Sequence, residues 1–73
     1  MNRKKNFSAV EIGRMYERRD GQKAITFHYD CVSNRYNCVV LGTLSFFSVN
    51  EDGQYLENKD DHNDLVFDYK MPN

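Results

Sequence analysis

A chain of 73 residues with two cysteines, no tryptophan and a formal net charge of −1 has room for one small domain. Hydrophobic residues make up 40% of it and aromatic residues 14%, so its core must lean on Phe and Tyr. A domain of this size removes only roughly 60% of its unfolded surface from water, which argues against a deep, preorganised catalytic pocket. No run approaches the ~18 apolar residues of a membrane span. Glu11 and Arg14 interrupt any apolar stretch after the basic start, so a cytoplasmic chain without an export signal is expected.

Residues 1–6 are polar and basic and read as a mobile arm, with residues 7–73 as the single domain. Ser8 and Glu11 then stand at capping-box spacing, with Phe7 and Ile12 at the two positions of a hydrophobic staple. At 100° per residue, Met15, Ile12, Tyr16, Ala9 and Gly13 share one arc, opposite Glu17, Arg14, Arg18 and Glu11. Gly13 costs such a helix about 1 kcal/mol against alanine. Asp20-Gly21 supplies a stop. The expectation is a helix over residues 9–19. Asp-Gly is also a strong hairpin signal, and as a hairpin it would set Tyr16 opposite Ile25 and Ile12 opposite Tyr29. The cap and staple favour the helix; a strand over residues 12–19 is the alternative.

From residue 24 the period becomes two. Ile25, Phe27, Tyr29 and Cys31 form an apolar face, and Thr26, His28 and Asp30 a polar one. After a turn-rich connection, residues 38–49 are apolar at both parities and read as one central strand, bent at Gly42. A turn at residues 50–53 leads into a short strand at 54–57 and a charged loop at 58–63. The final strand carries Leu65, Phe67, Tyr69 and Met71 inward and Asp68 and Lys70 outward, and Pro72 ends it. On this phase, Phe67→Ala would unfold the domain and Asp68→Ala would do little. The fold class expected is α+β, one N-terminal helix packed on a four-stranded, mainly antiparallel sheet. The alternative is an all-β meander.

Chemistry finds few footholds. His28, Cys31, Cys38 and His62 lack the paired spacing of a zinc site, and His28 and Cys31 lie on opposite faces of one strand. The cysteines read as free thiols rather than a bridge. An EF-hand starting at Asp60 fails, because its sixth and twelfth positions are Leu65 and Met71. No nucleophile has motif context and no glycine-rich phosphate loop is present. A non-enzymatic protein without metal or other cofactor is expected.

The strongest functional signal is the sorting of charge. Residues 1–23 hold seven basic side chains against three acids, and residues 50–73 hold seven acids against two lysines. If these poles stay apart in the folded chain, each can dock an outside molecule. The leading expectation is a small protein-binding regulator or inhibitor, of the kind mobile elements and phages encode. Its docking surface would be the acidic end, Asp52, Tyr55, Glu57, Asp60, Asp61 and Asp64, with the Tyr36 and Tyr55 rings as anchors. The partner would be a larger host or cognate protein. A second, basic surface of Lys4, Lys5, Arg14 and Arg18 suits the alternative, a nucleic-acid-binding regulator. A pI of about 6.0 argues against it. Pole-to-pole self-association, giving a homo-oligomer, is a third possibility.

Overall fold

The computed structural model describes residues 5–69. Within them lie five strands: β1 Met15–Arg18, β2 Lys23–Asp30, β3 Arg35–Val40, β4 Phe46–Val49 and β5 Leu65–Asp68. They make one antiparallel sheet in the order β4-β3-β2-β1-β5, a meander whose last strand returns beside the first. No helix occurs among the described residues, so the α+β expectation is overturned and the fold is all-β. None is therefore long and apolar enough to cross a membrane. The all-β alternative describes the architecture, with its first strand narrowed from residues 12–19 to Met15–Arg18.

The N-terminal helix fails for a local reason and a tertiary one. Gly13 sits at φ 79°, in the left-handed region through which a right-handed helix does not continue. The Glu11 amide that a capping box would satisfy, and the Gly13 amide that a helix would turn inward, are bonded across the fold instead. Glu11 N–H donates to the Tyr16 hydroxyl at 2.8 Å, and Gly13 N–H to the Thr26 carbonyl at 2.8 Å. Tyr16 is completely buried, with the Phe7 ring edge-on at 5.0 Å between centroids. Packing on this scale outweighs a helical preference.

Asp20-Gly21 forms the hairpin turn. Gly21, at φ 87°, donates its N–H to the Arg18 carbonyl at 2.9 Å, and Arg18 N–H donates to the Gln22 carbonyl at 2.7 Å. The resulting register sets Tyr16 opposite Ala24 and Met15 opposite Ile25. That is one residue away from the pairing of Tyr16 with Ile25, and a slip of one residue exchanges the faces of a strand.

The exchange shows in β2. Ala24 and Thr26 are buried, whereas Phe27, Tyr29 and Cys31, expected inside, are exposed, and Ile25 is half-buried. A bulge between Thr26 and His28 then shifts the register. Thr26 is tolerated inside because its hydroxyl donates to the Glu11 carbonyl at 2.5 Å and accepts from Arg14 N–H at 3.3 Å.

Residues 38–49 are not one central strand. They belong to β3 and β4, joined by a turn in which Leu44 N–H bonds the Val40 carbonyl at 2.7 Å with Leu44 at φ 59°. β4 is an edge strand, and β2 holds the centre. The apolar turn residues Leu41 and Leu44, both exposed, made the two strands read as one.

Residues 54–57 form no strand; Leu56 makes only an isolated bridge to Lys59. The segment from 50 to 64 is a loop against the covered face. Gly53 passes so close to Leu65 that a Cβ would lie 3.1 Å from the Leu65 carbonyl oxygen, and its φ is 84°. β5 is also out of its expected phase, because a register shift opposite Glu17 and Arg18 brings both Leu65 and Asp68 to the buried side. Asp68 is buried and Phe67 is only half-buried. Lys70, Met71 and Pro72 lie outside the described residues, as do residues 1–4.

The core is Val10, Tyr16, Ala24, Cys38, Val40, Val49 and Leu65, flanked by Phe7, Tyr36 and Phe47. It sits on one face of the sheet, roofed by the residues before β1 and the loop before β5.

Candidate functional site

The two electric poles meet in the fold. Arg14 Nη2 lies 3.0 Å from Asp68 Oδ2. Arg19 Nη2 lies 3.2 Å from Asp64 Oδ2 and 3.5 Å from Asp60 Oδ1. Arg18 is mostly buried, grips Asp20 through two guanidinium nitrogens and lays its guanidinium over the Phe47 ring at 5.0 Å. Lys5 donates to the Asp52 carbonyl at 2.8 Å. Asn6, expected in a mobile arm, bonds the Asp68 backbone on both sides: its Nδ2 donates to the carbonyl at 2.9 Å and its Oδ1 accepts from N–H at 2.7 Å. The proposition that the poles remain apart does not hold for Arg14 and Arg19, whose long-range partners within the chain are late aspartates.

These contacts divide the acidic end into two groups. Asp64 belongs to the structure: its side chain is 4% exposed, and it accepts from Tyr55 N–H at 2.9 Å, Asp61 N–H at 2.9 Å and Arg19. Asp61 accepts from Asn63 N–H and Nδ2, both at 3.0 Å, and faces His62 at 3.6 Å. These residues fold the loop on itself. Glu51, Asp52 and Glu57 have no ion-pair partner for their carboxylates among the described residues.

The free carboxylates stand around a cleft. It has a volume of about 660 Å³, and its walls include Tyr29, Tyr36, Glu51, Asp52 and Glu57. Tyr29 and Tyr36 are cross-strand partners with ring centroids 4.8 Å apart and planes tilted by 51°. Tyr29 is fixed by its hydroxyl, which donates to Asn34 Oδ1 at 2.8 Å. Burial, followed by the nearby Glu51 charge and Tyr29, raises the Tyr36 phenol above its usual range.

Arg35 also borders the cleft, but its guanidinium is spent internally. It donates to Ser48 Oγ at 2.8 Å, the Ser48 carbonyl at 2.7 Å and the Tyr55 carbonyl at 2.8 Å. Two anchors named from sequence are thus separated. Tyr36 lines this cleft, while Tyr55 lines a shallower hollow with Phe27, Phe46 and Phe47. Sequence reasoning missed Tyr29 and Glu51. The signal for Tyr29 was its place opposite Tyr36 across the turn at Asn34, where cross-strand aromatic pairs form.

Among the described residues, no three His, Cys, Asp or Glu side chains gather into a metal site. Cys31 is exposed and Cys38 buried, and both are free thiols. Burial pushes the Cys38 thiol up to about 12, which makes it inert as a nucleophile. Lys4, named with the basic surface, lies outside the described residues. Comparison with protein-family models, with curated proteins and with solved structures finds no match to this chain.

Proposed function

We propose that this domain is a non-enzymatic, cytoplasmic binding regulator or inhibitor whose tyrosine-lined acidic cleft takes a Lys- or Arg-rich segment of a larger protein. One observation carries the reading: among the described residues, Glu51, Asp52 and Glu57 have no ion-pair partner for carboxylates set around the Tyr29–Tyr36 pair, whereas Asp60, Asp64 and Asp68 have arginine partners within the chain. Carboxylates beside aromatic faces are the chemistry that recognises a cation. The acids draw it in and raise the encounter rate. The rings then replace part of its hydration, each cation–π contact contributing about 0.5–1 kcal/mol when exposed and ~2 kcal/mol when desolvated.

The nucleic-acid alternative loses its main support. Arg14 and Arg18, which would have gripped phosphates, already hold carboxylates. Calorimetric titration with an arginine-rich peptide and a glutamate-rich control of equal length tests the proposal. Binding of the basic peptide alone, weakened by added salt and about tenfold weaker in Glu51→Gln/Glu57→Gln (~1.4 kcal/mol), supports it. Equal binding of both peptides, or of neither, contradicts it.

A further inference from the structure

The sheet face opposite the core has no strand or helix over it among the described residues, and the loop before β5 meets it only at the β4 edge, where Tyr55 borders a hollow with Phe27 and Phe46. Phe46, Val39, Ile25 and Met15 stand in register on β4, β3, β2 and β1. Tyr69 continues the line, its N–H bonded to the Met15 carbonyl at 2.9 Å. The result is an unbroken apolar row across the sheet, on the order of 20 Å long at ~4.8 Å per strand. The bulge in β2 adds Phe27, whose ring meets Phe46 edge-on at 5.8 Å. Phe27 is 49% exposed and Phe46 75%. Glu17 and Lys23, directly paired across β1 and β2, border the row on one side. Ser48, Asn37 and His28 border it on the other.

We propose that this face is the interface of a homodimer, with two copies packed sheet on sheet about a two-fold axis. Stable sheets bury an apolar face against a second layer, and the described residues supply only loops, which lie mainly on the other side. A second copy brings a matching apolar row. Charge agrees with that occupant. Among the described residues, the charges bordering the row are one acid and one base in direct register, so the face does not repel its own copy and selects neither a basic nor an acidic partner.

Area agrees as well. Five strands span about 24 Å, and four to six residues of each span roughly 13–20 Å, a footprint of roughly 300–500 Å². Two such faces with their side-chain relief bury on the order of 1,000 Å², the lower bound of a specific interface. The dimer is therefore weak, forming in the micromolar range or above. It leaves the acidic cleft unoccupied and does not depend on the cleft's function.

Sedimentation velocity on the full chain, from micromolar to millimolar concentration, tests the proposal with wild type, Phe46→Leu and Phe46→Ser. The Phe46 ring is largely exposed, so both variants should keep the wild-type circular dichroism spectrum. The expected result is a concentration-dependent rise from one chain mass to two, persisting in high salt. Phe46→Ser should weaken it at least tenfold and Phe46→Leu much less. A single-chain mass throughout, growth beyond two chains, dissociation by salt, or indifference to Phe46→Ser would each overturn it.

Discussion

Arg14 Nη2, just before β1, lies 3.0 Å from Oδ2 of Asp68, the last residue of β5, which follows it by 54 positions. The contact ties the first strand to the last. It also joins the basic end of the sequence to the acidic end, so a charge separation visible along the chain is partly cancelled in space.

The Asp68 side chain is 2% exposed, while Arg14 is 31% exposed and can return to water if its partner is lost. Asp68→Ala should therefore destabilise the domain by about 1–3 kcal/mol rather than by the full cost of stranding a buried charge. Phe67, half-buried on the open face, should cost less on truncation than the ~3–5 kcal/mol of a core Phe. Urea unfolding measures both. A change within about 0.5 kcal/mol for Asp68→Ala would restore the alternating phase read from sequence.

Part of the fold was legible, and its class and phase were not. Strands are present at Lys23–Asp30 and Leu65–Asp68, but Asp20-Gly21, read first as a helix stop, closes a hairpin, and the helix over residues 9–19 is absent. What alternation could not reveal were bulges at Thr26/His28 and Glu17/Arg18, each of which re-aims side chains without a composition signal. Nor could it reveal that the more apolar face of β2 is the one left open. Ser8 and Glu11 resemble a cap because spacing carries no knowledge of Tyr16, whose burial decides the segment. The acidic end was visible as charge, but which acids stay free depends on where Arg14 and Arg19 land.

Thr26 tests the assignment of the covered face from its polar side. Thr26→Val keeps the shape and removes the hydroxyl that serves the Glu11 carbonyl and Arg14 N–H. A loss of about 1–3 kcal/mol in chemical denaturation is expected. A neutral or stabilising effect would show that these backbone groups are satisfied by other means.

The two thiols should differ sharply in reactivity. Cys31 is exposed, and Cys38 is buried with its thiol pushed up to about 12. A disulfide-exchange reagent at neutral pH should titrate one equivalent rapidly in native protein and the second only on unfolding. Cys31→Ser should abolish the fast phase. Two fast equivalents, or none before reduction, would contradict the assignment.

Acid sensitivity should trace in part to Asp20. Its hydrogen bond from Arg18, then that from Gln22 N–H and the Arg18 charge, hold its carboxyl below the usual range despite partial burial. A depressed folded pKa contributes stability that is present above the unfolded value, about 3.9, and is lost as pH falls through the folded one. Melting temperatures should therefore fall less between about pH 4 and pH 2, the window below that value, in Asp20→Asn than in wild type. Parallel pH profiles for the two proteins would remove Asp20 from the account.

The cleft reading is tested most directly by a ¹H–¹⁵N correlation titration of the labelled domain with an arginine-rich peptide. Saturable shifts should gather at Tyr29, Asn34, Tyr36, Glu51, Asp52 and Glu57, and should leave the Arg19–Asp64 and Arg14–Asp68 contacts undisturbed. Shifts centred on the Asp60–Asp64 loop instead, or no saturable shift at any residue, would contradict the assignment of the cleft as the binding site.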